Sequence, residues 1–164
     1  MDPDVSLVLD FLNTRDAEAD TDVLGSEETW RTWASDRGLT ADPLPEATRA
    51  REALRAAAGD RAADDVAPTV HVPVRTSPSA GGVAFEPSTA VAAVYAAAAR
   101  LTVLGERNRI KICPADDCRR AFHDRSRNRS RTWCSMRVCG NRRKARTFRR
   151  RSTLSITQME QPCG

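Results

Sequence analysis

Apolar residues recur at helical spacing in four stretches of the chain and at strand spacing in two more. Val5, Val8, Leu9 and Leu12 fall at i, i+3, i+4 and i+7, the stripe of an amphipathic helix. Asn13-Thr14-Arg15-Asp16 ends that helix in polar residues, and an acidic loop runs on to Gly25. Ser26 then predicts a helix N-cap, with Glu27 and Glu28 set favourably against the positive end of the helix dipole. Trp30, Trp33 and Ala34 share one side of this second helix, which stops near Gly38. Core packing is the expected role of its tryptophans. A third helix is expected from Pro43 or Pro45 to about Ala58, with Ala47, Ala50, Leu54 and Ala57 inward and Gly59 just past its end.

Residues 60–68 have the character of a linker. Val70, Val72 and Val74 alternate with polar residues or proline, and Val83-Ala84-Phe85 follows a Ser/Pro/Gly turn. The pattern predicts a β-hairpin whose first strand is confined to an edge by Pro73. His71 falls on the face opposite Val70 and Val72, toward solvent, and no chemistry is assigned to it. The longest helix is expected from Ser88 to Leu104, burying Val91, Val94, Tyr95, Ala98, Leu101 and Leu104 and ending at Gly105. Arg109-Ile110-Lys111-Ile112 then alternates like a strand and delivers Cys113, so the remainder should be rigidly attached.

Charge divides the chain in two. Residues 107–151 hold seventeen Arg or Lys against Asp116, Asp117 and Asp124, a balance of +14, whereas the remainder carries −10. The stated net charge of +4 hides this split, which implies two modules, one of them built to meet polyanions. At 164 residues the chain holds one ordinary domain plus a small module. No apolar run is long enough to cross a bilayer.

The basic module also holds four cysteines in two matched pairs, Cys113/Cys118 and Cys134/Cys139, joined by a fifteen-residue linker. Such pairs deliver four tetrahedral ligands to zinc, and one structural Zn2+ is expected there. Two disulfides are the competing use. The first residues show no charged-then-apolar signal segment, so a reducing cytoplasm, where disulfides are rare, is expected. His123, five residues beyond Cys118, is read as a hairpin side chain, and Cys163 as a spare thiol in a polar tail.

Phe122 and Trp133 lie toward the two ends of the linker, where a hairpin would join them as a miniature core over the metal. A module this small needs the metal to fold. Cys139 should open the final helix, with Gly140 allowing a tight turn and Asn141 capping the helix or bonding a loop. Arg142, Arg146, Arg149 and Arg150 then fall on one helical face, with Arg143 and Lys144 beside them and Ala145 and Phe148 packed inward. In the linker Arg125, Arg127, Arg129 and Arg131 alternate with Ser126, Asn128 and Ser130. If extended, those arginines project from one side about 6.6 Å apart, close to the phosphate spacing of a DNA strand. Arg142 and Arg131 have a second use, since four thiolates around zinc carry −2 and nearby guanidinium groups offset it.

The runs CPADDCRRAFHDRSRNRSR and WCSMRVCGNRRKAR resemble the CGNR zinc finger, named for Cys139-Gly140-Asn141-Arg142. LDFLNTRD at Leu9 to Asp16, followed by the Trp30/Trp33 helix, resembles the ABATE domain that usually precedes that finger. The resemblance implies a stress-induced bacterial transcription regulator. The expected fold is therefore α+β and mostly helical. It comprises an N-terminal helical domain with a short β-hairpin (1–106), a small treble-clef-like zinc finger (107–153) and a polar tail (154–164). The finger is expected to bind DNA, with RNA still open, while the acidic domain senses a signal or forms a homodimer. Asn13, Thr14 and Arg15, polar residues interrupting an apolar helix, are the candidate contacts for a small-molecule effector; helix capping explains them equally well. A small-molecule binder or enzyme with a purely structural finger is the alternative. His71 and His123 sit in different segments, and no catalytic constellation is legible.

Overall fold

The computed structural model describes residues 2–61 and 71–149. Asp2 accepts from the backbone N–H of Asp4 and Val5, capping α1 (Pro3–Leu12), which buries Val5, Val8, Leu9, Phe11 and Leu12. A two-stranded turn, β1 (Arg15–Asp16) with β2 (Thr21–Asp22), follows. Ser26 caps α2 (Glu27–Ser35) as its sequence requires. Trp30 and Trp33 stack with ring centroids 5.2 Å apart, and both rings lie within 6.0 Å of Phe11. The tryptophans are therefore core residues.

Helix α3 (Leu44–Ala57) departs from its expected face. Ala47 and Ala50 are buried, but Ala57 is exposed and Leu54 only half-buried, while Arg51 and Arg55 are buried. The inward face carries two guanidinium groups because acidic partners and carbonyls wait for them, a pairing that periodicity of apolar residues cannot register.

The hairpin also differs. β3 (Arg75–Ser79) pairs with β4 (Gly82–Glu86), Phe85 opposite Thr76 and Val83 opposite Pro78. Val72 and Val74 lie outside the strand, and Val70 lies outside the described residues. Register counts back from the turn. Gly82, at φ 122°, turns the chain so that Ser79 faces Gly82, which places residues 76–78, not the valines, opposite Val83–Phe85. His71 is exposed outside any strand.

Helix α4 (Ala90–Val103) is capped by Thr89, one residue later than Ser88, and by Asp42, whose carboxylate accepts from Val91 N–H at 2.7 Å. It lies against α1, and its small side chains Ala90, Ala93, Ala97 and Ala98 are buried. Leu104 ends the helix exposed, contrary to the expected stripe, because Gly105 at φ 70° turns the chain away at that level. The strand expected at 109–112 is β5 (Ile110–Ile112), paired antiparallel with β6 (Ala121–His123). Ile110, Ile112 and Ala121 belong to the main core with α1 and α4. The basic module therefore shares packing with the helical part.

Candidate metal centre and nucleic-acid interface

β5 runs straight into Cys113, whose N–H bonds Arg120 C=O at 2.9 Å and closes a tight knuckle. Inside the knuckle the N–H groups of Cys118 and Arg119 both donate to Ala115 C=O, and Arg119 takes a left-handed conformation at φ 48°. Ser135 accepts from Val138 N–H and starts a single π-helical turn, Met136–Gly140, that carries Cys139. These two turns bring Cys113, Cys118, Cys134 and Cys139 together, with all four sulfurs within 4.8 Å of one another. The Cys118–Cys134 and Cys134–Cys139 sulfurs are 3.5 and 3.6 Å apart. Four thiolates on one tetrahedral zinc stand roughly 3.8 Å apart, given a zinc–sulfur bond of about 2.3 Å. The donor set fits one structural zinc. His123 takes no part; its Nε2 lies 3.5 Å from Glu106 Oε2.

The cysteines have a packing cluster of their own. Phe122, Trp133 and Ala115 gather round the cysteines as a second, small apolar cluster, as the linker aromatics predict. Arg131 sits 5.3 Å over the Phe122 ring and donates to the carbonyls of Trp133 and Cys134. Gly140 is not in a left-handed conformation, so the expected tight turn is not its reason. A Cβ there would meet Met136 Sδ at 2.5 Å and Trp133 Cδ1 at 3.4 Å. Gly140→Ala should cost about 1–2 kcal/mol in chemical denaturation, the lower part of the overpacking range because Met136 is adaptable. The Met136→Ala background should remove most of that cost. Equal losses in both backgrounds would rule out this contact.

Burial and the neighbouring thiols push the Cys134 thiol up, and burial pushes Cys139 up to about 11. Burial also raises Cys113, but backbone N–H donation from Cys134 and Ala115 outweighs it and holds that thiol low. Zinc must displace the protons of the raised pair when it binds.

The linker is not the extended ladder that alternation suggested. It turns at 126–129, with Arg129 at φ 52°, and wraps around the fully buried Asp124. The Asp124 carboxylate accepts from Lys111 Nζ at 2.7 Å, Ser126 Oγ at 2.6 Å, and the N–H groups of Ser126 and Arg131. Burial alone would raise this carboxyl; those four donors hold it well below the usual carboxylate range. Lys111 and Arg109 also donate to carbonyls at 124, 126, 129 and 131. Satisfying a buried carboxylate outweighs the weak preference of an arginine–serine run for extended backbone, so the arginines splay around a loop.

Arg125, Arg127 and Arg129 stay exposed and make no ion pair among the described residues. Helix α5 (141–149) leaves the π-turn with Arg143 and Lys144 likewise exposed. Arg142 and Arg146 instead reach Asp117, at 2.8 and 3.0 Å. Arg149 is exposed, and Arg150 lies outside the described residues. Ala145 and Phe148, expected inward, are exposed.

Asn13 exchanges two hydrogen bonds with the backbone of Ala121, at 3.0 and 2.8 Å. Thr14 is buried, donating to Phe11 C=O and accepting from Arg51. Arg15 is exposed beside a small cleft of about 50 Å³ lined by Asn13, Asp16, Glu18, Cys118 and Arg120. The polar atoms of Asn13 and Thr14 thus join the end of α1 to β6 and to α3. Periodicity missed the companion of this clamp. Asp60 is buried, bonded by Arg55 at 2.8 Å and Arg119 at 2.9 Å, while Arg55 also donates to the carbonyls of Leu12 and Arg119. The only signal available was two arginines on the alanine face of α3.

Residues 109–152 match the family model described as CGNR zinc finger. Residues 6–122 match the ABATE model, described as "Putative stress-induced transcription regulator". The two matches overlap on 109–122, the stretch that holds β5, the first cysteine pair and the start of β6. No curated protein matches the chain. Among the described residues no helix is long and apolar enough to cross a membrane.

Proposed function

Since this chain belongs to the ABATE family and carries a CGNR zinc finger, we propose that it is a zinc-dependent transcription regulator that binds duplex DNA. The observation that carries the reading is a set of exposed cations mounted on a metal-fixed scaffold. Arg125, Arg127 and Arg129 stand on a loop tied down by Asp124, and Arg143 and Lys144 on a helix that starts at a zinc ligand. Cations held by structure lose less freedom on meeting phosphate than cations on a loose tail. Arg131 braces the finger through the carbonyls of Trp133 and Cys134, and Arg142 and Arg146 through Asp117; the partly exposed Arg142 and Arg146 exchange Asp117 for phosphate at little cost. The acidic helical part serves as the sensing or dimerising module, and any effector would meet Arg15 before the buried Thr14. Four thiolates close the zinc shell and leave no position for a reactive water, which supports binding over zinc-water catalysis.

Fluorescence anisotropy of the zinc-loaded full chain on a labelled 20-base-pair duplex tests the proposal. Six phosphate contacts would weaken binding by about 10³-fold between 50 and 200 mM salt. Arg129→Ala and Arg143→Ala should each lower affinity and reduce the salt slope by about one. A flat salt response sinks the proposal, and a strong preference for duplex RNA or single strands would reassign the polyanion.

A further inference from the structure

The turn joining β1 to β2 gathers negative charge: residues 16–22 read DAEADTD, four carboxylates in seven positions. Two of them hold the turn in place. Asp16 accepts from the N–H groups of Glu18 and Ala19 at 2.9 and 3.0 Å. Asp22 accepts from both terminal nitrogens of the buried Arg51, at 2.5 and 2.9 Å, which ties the turn to α3 and so to the helical core. Glu18 stands out from this support with its side chain 66% exposed, and it lies 3.4 Å from Arg142 in the first turn of α5. Arg142 therefore meets two carboxylates. Asp117 belongs to the finger and travels with it, whereas Glu18 lies 124 residues away in sequence and belongs to the helical part. The cleft between the turn and the zinc knuckle, lined by Asp16, Glu18, Cys118 and Arg120, holds about 50 Å³, space for a few waters. Carboxylate and phosphate oxygens offer a guanidinium the same acceptors. A backbone phosphate that takes Arg142 must displace Glu18.

Resting on the duplex binding proposed above, we infer that the acidic turn is an internal competitor for DNA, with Glu18 occupying Arg142 in the free protein and restraining the finger from phosphate. Whatever shifts the turn away from α5 frees Arg142 and tightens DNA binding, and by linkage DNA loosens the turn to the same degree. The acidic module thus acts on the basic one through a defined ion pair, beyond the general attraction of opposite charges. Because water screens an exposed pair, the restraint is graded, worth about two- to fivefold in affinity.

Anisotropy titrations of the zinc-loaded full chain with a labelled 20-base-pair duplex at low salt test this. Glu18→Gln, checked for zinc content and melting temperature, should bind about two- to fivefold tighter than wild type. Asp20→Asn removes one charge from the same turn, at an exposed residue that makes no ion pair among the described residues, and measures the effect of charge alone. Its gain should be smaller. In an Arg142→Ala background the gain from Glu18→Gln should shrink to that of Asp20→Asn. Unchanged affinity in Glu18→Gln, a gain matched by Asp20→Asn, or a full gain that survives Arg142→Ala each overturns the inference while leaving salt-dependent binding intact. Absence of salt-dependent binding in wild type and variants alike overturns the reading beneath it.

Discussion

Cys139→Ser loses stoichiometric zinc and, with it, the ordered finger, while α1 to α4 keep their helical signal. Zinc binding contributes on the order of 10–16 kcal/mol in small fingers, far more than the apolar cluster here can provide. That cluster comprises little beyond Phe122, Trp133, Ala115 and the cysteines themselves. The main core draws on Phe11, Trp30, Val91, Val94 and Leu101, none of which touches the metal site. Metal content by mass spectrometry and far-UV circular dichroism separate the two parts. A variant that retained zinc at wild-type affinity would show that Cys139 is not a ligand. The same site predicts the pH response. The Cys134 and Cys139 thiols are raised without metal, so protons compete with zinc across the neutral range. Zinc affinity should fall as pH drops, by up to about tenfold per unit for each proton displaced, and competition against a chelator at pH 6 and 8 measures it. Affinity independent of pH in that range would mean the thiols are already ionised.

Arg55→Met should destabilise the whole protein by about 3–5 kcal/mol, the cost of stripping one partner from a buried ion pair. Arg55 and Asp60 have side chains only 3% and 2% exposed. The guanidinium also donates to Leu12 C=O at the end of α1 and to Arg119 C=O in the zinc knuckle, both at 2.7 Å. Its loss therefore strips Asp60 of one guanidinium partner and leaves two carbonyls without that donor. The exposed Arg31–Glu27 pair, at 2.5 Å, has side chains 70% and 64% exposed. Breaking it with Arg31→Ala should cost about 0.3–0.5 kcal/mol, since water screens it. Urea denaturation of both variants, zinc-loaded, gives the comparison. Similar losses for the two would show that the buried junction carries no special weight.

Those two residues mark where sequence reading reached its limit. A stripe such as Val5, Val8, Leu9 and Leu12 depends on spacing that one helix turn imposes, so the helices and the cap at Ser26 were legible. The matched cysteine pairs were legible for a similar reason: ligand identity and loop length are local. The resemblance to the finger and to its N-terminal neighbour rested on contiguous motifs, and both family matches agree with it.

What spacing could not reveal was which buried polar group each cation would meet. Alternating Arg125 to Arg131 reads as a strand until Asp124, with Lys111 across the hairpin, gathers four donors and bends the backbone around itself. Ala145 and Phe148 read as inward-facing, yet both are exposed on α5. Val72 and Val74 read as strand residues until the turn at Gly82 sets a different register. The chain alone therefore determined its helices, its ligand set and the sign of its two halves, all properties of neighbours within a few residues. Only the tertiary structure decided which arginines are buried, which are paired and which face solvent. That choice depends on carboxylates and carbonyls brought together from distant segments, where the cost of leaving a buried charge unpaired exceeds any local preference.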